Sequence, residues 1–273
     1  MENGYICSII THTDSLQMLV PEYIHLDQTA STNTWLRSYE PSDDGKLTVV
    51  STDYQTAGRG QGTNSWESEA GSNLLFSVLF HPQQLPAREQ FILSMANALA
   101  IKAALDELTG DISIKWPNDI YWRDSKLCGT LIEATLRHGL VDRCIVGTGI
   151  NVNQRLFTSD APNPVSLWQI LGHEADRKEL LERVVAHLII YIDMAEQGQW
   201  QLIRTRYHEA LYLLGKPHRY RLPDGTEHIY RLEGVAPDGH VQLSEALADG
   251  SRQVRSFAFK EVALCTDSTI NNT

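Results

Sequence analysis

Apolar positions along the chain change period several times. Phe91, Ile92, Met95, Leu99 and Leu105, with Ala98, recur at helical spacing and predict a helix over 86–109, closed by Gly110. Directly after it, Ile112, Ile114 and Trp116 alternate with Ser113 and Lys115. The period falls there from about 3.6 to 2, which predicts a strand. Strands are also predicted over 48–53, 73–80, 127–134 and 144–152, the first two separated by a polar, glycine-rich loop at 54–70. Leu180, Leu181, Val184, Val185, Leu188 and Ile192 form the apolar face of a helix over 177–197, with Asp176 and Glu179 as its capping pair. A shorter helix is predicted over 199–214, with Gly215 as its stop.

Beyond Gly215 the pattern changes. Pro223-Asp224-Gly225 and Pro237-Asp238-Gly239 are strong turn sequences. They separate short strand-like stretches at 228–235, 241–243 and 254–262, which suggests a small antiparallel barrel. Three regions are therefore expected: an N-terminal arm at 1–20, either loosely ordered or an extra edge strand; a domain of alternating strands and helices at 21–214; and a small barrel with a short tail at 215–273.

Composition narrows the function. With 273 residues, 42% of them hydrophobic, the chain can bury a core and is not a disordered segment. Its apolar runs are far shorter than the roughly 20 residues of a membrane span. No basic segment precedes an apolar one at the N-terminus, so a cytoplasmic protein is expected. The net charge of -11 argues against a non-specific DNA or anionic-membrane binder. Cys7, Cys128, Cys144 and Cys265 have neither CxxC spacing nor a neighbouring histidine cluster, and read as free thiols of a reducing compartment.

No phosphate-binding GxxxxGK[ST] loop, GxSxG elbow, HExxH or strand-following GxGxxG is present. Five other segments could carry chemistry. Ser31-Thr32-Asn33 precedes Trp35-Leu36 and also reads as an ordinary helix cap. Gln55 to Gly62 places Gly58, Gly60 and Gly62 at alternate positions around Arg59. The glycines let backbone N–H groups approach an anion, and Arg59 adds a permanent cation; a plain surface hairpin fits equally. Lys115-Trp116-Pro117-Asn118-Asp119 ends a strand in polar groups, where open α/β sheets often place chemistry, and also fits a simple strand-to-turn boundary. Lys126 leads a strand that reaches Gly129. Gly147, Gly149 and Asn151 interrupt another strand, which requires close approach by a ligand or by a packed helix.

In this order the segments resemble the biotin protein ligase family, strongly over 23–152 and weakly as far as Cys265. The resemblance implies a mixed α/β sheet flanked by helices, of the class II synthetase and biotin/lipoate ligase kind, followed by an SH3-like β-barrel. It implies a ligase that converts biotin and ATP, with Mg²⁺, to biotinyl-5′-AMP and then biotinylates a lysine of a biotin carboxyl carrier domain. Biotin would be held by Ser31, Thr32, Asn33, Gln55, Gly58, Arg59, Gly60, Gln61, Lys126 and Gly129. ATP or the adenylate would be held by Arg59, Trp66, Lys115, Asn118, Lys126, Gly149 and Asn151, with 154–165 as an adenylate-side loop and Trp116 as a further wall. Arg59, Lys115, Asp119 and Lys126 would carry the chemistry, Asp119 by meeting the incoming amine; no metal ligands are assigned. Many relatives carry Arg where this chain has Gln61, so weaker retention of the adenylate is expected. About 30 residues precede Ser31, against the roughly 60 of the smallest autonomous domains. That points to the group without a DNA-binding domain, and a sheet-edge homodimer is allowed. The alternatives are a lipoate or octanoate ligase, whose Arg-Arg-x-Ser-Gly-Gly-Gly loop is missing here, and a non-catalytic biotin-binding module.

Overall fold

A computed structural model describes residues 19–42, 45–158 and 163–265. Nearly all of the expected N-terminal arm, Cys7 and the tail after Cys265 lie outside the described residues.

A seven-stranded sheet organises the first part of the chain. Its strands are β1 (Pro21–Thr29), β2 (Leu47–Gln55), β3 (Leu74–Phe80), β4 (Ile112–Lys115), β5 (Asp119–Trp122), β6 (Ser125–Arg137) and β7 (Leu140–Ile150), in the order β1-β2-β3-β7-β6-β5-β4. β1 and β2 run parallel, and every other pair is antiparallel, so the sheet is mixed. Helices α1 (Thr32–Arg37), α2 (Phe91–Asp106), α3 (Leu167–Leu171), α4 (Arg177–Glu196) and α5 (Trp200–Glu209) complete this part.

The two sheet faces are packed differently. α2 lies against α4, α5, β4 and β5, in a core that includes Val49, Phe76, Val78, Met95, Ile101 and Val184. α1 sits on the opposite face, where Leu36 packs with Val50, Leu79 and Ile145. Side chains alternate across a strand. Ser77 on β3 and Gly147 on β7 therefore share the α1 face with Leu79 and Ile145, and that face is left open beside α1.

The expected helix over 86–109 begins later. A 3₁₀ turn at Ala87–Glu89 precedes α2. Ile92, Leu93, Met95, Ala96, Asn97, Ala98, Leu99, Ala100 and Ile101 are all buried, so α2 is covered nearly all round rather than along one stripe. α4 matches its expected span, and the Asp176 carboxylate accepts from the N–H groups of Lys178 and Glu179 at 2.8 and 3.0 Å. The expected helix over 199–214 stops at Glu209. There the chain docks on β4 instead, with Ile114 N–H donating to Ala210 O and Tyr212 N–H to Ile114 O, both at 2.8 Å.

The second sheet comprises β8 (Pro217–Arg221), β9 (Glu227–Val235), β10 (Val241–Ala246), β11 (Arg252–Phe257) and β12 (Ala263–Leu264), in the order β11-β10-β9-β8-β12. The predicted turns place Gly225 and Gly239 at φ 86° and 90°, which glycine adopts freely. β12 returns to β8 and curls the meander into a small SH3-like barrel. The barrel leans on the larger sheet: Trp116 Nε1 donates to Gly239 O at 2.9 Å, and the Trp116 and Phe259 rings meet edge to face. Among the described residues no helix is long and apolar enough to cross a membrane. Cys128 and Cys144 are buried free thiols.

Candidate active site

A cleft of about 980 Å³ opens on the α1 face, between the large sheet and the barrel. Ser31, Thr32, Asn33, Gln55, Arg59, Gly60, Gln61, Trp66, Lys115, Asn118, Asp119, Lys126, Gly129, Gly149 and Asn151 all line it. Gly58 does not. It lies behind the wall, where a Cβ would fall 2.6 Å from Trp66 O.

One end of the cleft is a buried polar relay. Ser31 caps α1, but its side chain makes no capping hydrogen bond. Thr32 N–H donates to Gln55 Oε1 at 2.8 Å, and Thr32 Oγ1 is 3.2 Å from the same oxygen. Ser77 Oγ lies 2.6 Å from both Thr32 Oγ1 and Asn33 Oδ1, and Asn33 Nδ2 donates to Leu131 O at 3.2 Å. Thr32, Asn33 and Ser77 are at most 3% exposed, so their geometry is fixed by packing.

The floor is built of glycines. Gly129 on β6 and Gly149 on β7 are cross-strand partners. The Trp66 ring lies over both: a Cβ would fall 2.8 Å from Trp66 Cζ3 at Gly129 and 2.5 Å from Trp66 Cε2 at Gly149. At Gly147 a Cβ would fall 2.1 Å from Asn33 Oδ1. Gly147 and Gly149 are two residues apart on one face, which spaces the relay and the Trp66 position by about 7 Å. Trp66 Nε1 is buried there with no hydrogen-bond partner.

The other end is ionic. Lys126 Nζ is 2.7 Å from Asp119 Oδ1 and 5.7 Å from the Trp66 ring centroid, while Lys115 Nζ is 4.0 Å from Asp119 Oδ2. The Lys126 backbone is clamped, its N–H donating to Asn163 O at 2.7 Å and its carbonyl accepting from Val165 N–H at 2.9 Å. The end of the 154–165 loop therefore sets this lysine in place. Burial and then the Asp119 charge push the Tyr121 hydroxyl up to about 12, which keeps it a neutral wall behind the ion pair.

Three expected ligand groups are occupied within the protein. Asn118 Nδ2 donates to Thr130 O, and Asn151 Nδ2 donates to Val165 O at 3.1 Å. Both amides brace the walls. Arg59 Nη1 is 3.2 Å from Glu133 Oε1, and Arg37 binds the same carboxylate. Burial pushes the Glu133 carboxyl up, but the two guanidiniums outweigh it and hold it below the usual carboxylate range. The 54–70 loop is a closed hairpin around this arginine: Arg59 bridges Ser65, and Trp66 N–H donates to Gly58 O at 3.0 Å.

Sequence reasoning missed Tyr212, Phe259 and Lys260, which line the cleft, and the fully buried Ser77, which holds the lining residues Thr32 and Asn33 from behind. Ser77 had a sequence cue, a lone hydroxyl in the apolar run Leu74–Phe80. The others reach the cleft only through tertiary packing. Among the described residues no group of three or more His, Cys, Asp or Glu side chains could hold a metal ion.

Residues 26–151 match the Biotin/lipoate A/B protein ligase family. The chain is 32% identical to the biotin–[acetyl-CoA-carboxylase] ligase of Paracoccus denitrificans over 227 residues, covering 80% of this chain and 92% of that one. It is 29% identical to the bifunctional ligase/repressor BirA of Escherichia coli over 71% of this chain, and spans only 60% of that protein's length. In structure it is similar to the biotin protein ligase of Aquifex aeolicus solved with biotin and ATP, with a TM-score of 0.72 and 27% identity over 89% of this chain and 98% of that one.

Proposed function

The chain belongs to the biotin/lipoate A/B protein ligase family, and we propose that it is a biotin ligase, which activates biotin with ATP as biotinyl-5′-AMP and passes the biotinyl group to a lysine of a carrier-protein domain. We read 21–214 as the catalytic domain, 215–273 as an appended barrel, and the protein as cytoplasmic with no DNA partner. One observation carries the reading: a single cleft with a floor of three glycines, Gly129, Gly147 and Gly149, a neutral hydrogen-bonding relay at one end and Lys126 with Asp119 at the other. Biotin has the matching polarity, a neutral urea ring joined by an apolar chain to a carboxylate.

In the first step a biotin carboxylate oxygen bonds to the α-phosphorus of ATP. The bond from that phosphorus to the β-phosphate oxygen breaks, and pyrophosphate leaves with the electron pair. Two anions must meet, so a cation fixed at the meeting point lowers the barrier. Lys126 fills that role in the proposal, and Lys115 assists. Mg²⁺ would arrive with the nucleotide as part of the substrate, held mainly by the phosphates.

In the second step the acceptor lysine nitrogen attacks the biotinyl carbonyl carbon, and AMP leaves. The amine has a free pKa of about 10.4 and must lose a proton first. Asp119 stands at the ionic end as the group that orients this amine and takes its proton. The Trp66 indole and the Arg59 hairpin would cover the mixed anhydride and exclude water. Gln61 contributes no charge to that cover. Replacing it by Arg is therefore expected to slow release of biotinyl-AMP in a filter-retention assay.

The test is biotin-dependent exchange of labelled pyrophosphate into ATP. Exchange with biotin and not with lipoate is expected. Exchange with lipoate alone would transfer the protein to the lipoate ligases, and none with either would leave a binding module.

A further inference from the structure

We propose that Lys260, carried by the C-terminal barrel, is a positioning residue for the phosphates of ATP during adenylation. The proposal rests on the ligase reading above.

Three observations converge on this side chain. The first is its backbone. Lys260 lies in the turn between β11 and β12 at φ 70°, a left-handed conformation that glycine adopts freely and lysine only at a cost. Strained positions of this kind persist where the surrounding structure holds them, and they concentrate at functional sites.

The second is direction. The turn is anchored to the catalytic sheet through Phe259, whose ring meets Trp116 with centroids 6.4 Å apart. Within the turn, Ala258 N–H donates to Glu261 Oε2 at 2.8 Å. From this base the lysine extends to the glycine hairpin, where a Cβ on Gly62 would fall 2.6 Å from Lys260 Nζ and 3.2 Å from its Cε. Lys260 and the hairpin residues Arg59, Gly60 and Gln61 line the same cleft.

The third is charge. Four basic side chains reach the cleft: Arg59, Lys115, Lys126 and Lys260. Arg59 is paired with Glu133, and both Lys115 and Lys126 with Asp119. Among the described residues Lys260 has no carboxylate within ion-pair distance; its ammonium stands 5.9 Å from the Phe259 ring centroid. Among the described residues it is thus the one cleft cation with no carboxylate within ion-pair distance. In a protein of net charge -11, a polyphosphate needs such local positive charge. An ammonium on a flexible stem at a hairpin tip suits phosphate oxygens, which it meets as a point charge.

The test compares wild type with Lys260→Gly, Lys260→Gln and Lys260→Arg in biotin-dependent ATP–pyrophosphate exchange, with thermal melting alongside. Lys260→Gly removes both charge and strain, so it should melt at or above wild type while KM for ATP rises about tenfold, as for loss of one charged hydrogen bond. Lys260→Gln should raise KM for ATP similarly, which separates charge from loop flexibility. Lys260→Arg should restore it, and KM for biotin should stay within about twofold throughout, since the relay end is untouched. An unchanged KM for ATP in active Lys260→Gly and Lys260→Gln, or an equal rise for both substrates with a lower melting point, would overturn the role of Lys260 alone. Absence of biotin-dependent exchange in the wild type would overturn the ligase reading and this inference with it.

Discussion

The cleft is bounded by two glycine-rich regions, and their glycines are there for opposite reasons. On the floor, Gly129, Gly147 and Gly149 sit in regular strands, where glycine weakens the sheet. They are required because a Cβ would strike Trp66 or Asn33. In the hairpin, Gly62 takes φ 68°, and the nearest neighbour of a Cβ there is the mobile end of Lys260. The floor is a steric requirement set by buried neighbours. The hairpin tip is a conformational one set by its own backbone. Equal glycine density in two stretches of sequence thus marks close packing by buried side chains in one case and a left-handed turn beside a long, flexible side chain in the other.

The contrast is broken most severely at Gly147. An added methyl group falls 2.1 Å from Asn33 Oδ1, and Asn33 is 3% exposed with nowhere to retreat. Gly147→Ala is expected to lower biotin affinity at least ~100-fold by titration calorimetry and to cost about 2 kcal/mol in denaturant unfolding, the usual penalty for overpacking. Wild-type biotin affinity in this variant would show that the relay can move, and the floor would lose its special status. A smaller version of the same test removes the relay's central hydroxyl. Ser77→Ala leaves Asn33 Oδ1 and the Thr32 hydroxyl each short of a neighbour. A rise of about tenfold in KM for biotin, with KM for ATP unchanged, is expected from one lost buried hydrogen bond.

Ser77 also shows which parts of the fold and site were legible in the sequence. α4 was legible in full, because its apolar stripe and its Asp176 cap agree. Both Pro-Asp-Gly turns were legible from local chemistry. β1 and the four-residue β5 were not. β1 is an edge strand whose mixed exposure gives no clean alternation, and β5 is too short to show a period. Thr32, Asn33, Gln55, Asp119 and Lys126 are legible in the sequence as candidate groups, and the fold brings them to one cleft, whereas the pairing of Gly129 with Gly149 depends on strand register. No local pattern encodes that register. Asn118 and Asn151 are expected near ATP on the family resemblance; both line the cleft, and each also gives an amide N–H to a backbone carbonyl, a bond made only on folding. Lys260 is some 200 residues from the hairpin it touches, a contact only the folded chain creates.

The hairpin side of the comparison predicts a gentler loss. Gly62→Ala forces alanine into a left-handed turn, at a cost of about 1 kcal/mol, and Lys260 can swing aside to admit the methyl group. The expected result is a modest fall in kcat/KM, about threefold, with biotin affinity unchanged. A loss as deep as that of Gly147→Ala would mean the hairpin is as rigid as the floor.

The smallest expected effect concerns the tether between the two regions. Glu133 lies on floor strand β6 and holds Arg59 of the hairpin as well as Arg37 of α1. Its carboxyl titrates below its ordinary value in the folded protein, because the two guanidiniums outweigh the burial that pushes it up. A depressed folded pKa stabilises the fold above the unfolded value, about 4.3, and that contribution fades as pH falls through the lower folded value. Both arginines are partly exposed, at 49% and 38%, so solvent screening limits the contribution to about 0.5 kcal/mol. Glu133→Gln should therefore unfold slightly more easily than wild type at pH 6, with the gap closing as pH drops toward 3. A gap of constant size across that range would mean that Glu133 acts through packing and not through charge. If the gap does close with acid, the same substitution should free Arg59 for the adenylate, and release of biotinyl-AMP should then slow even as stability falls.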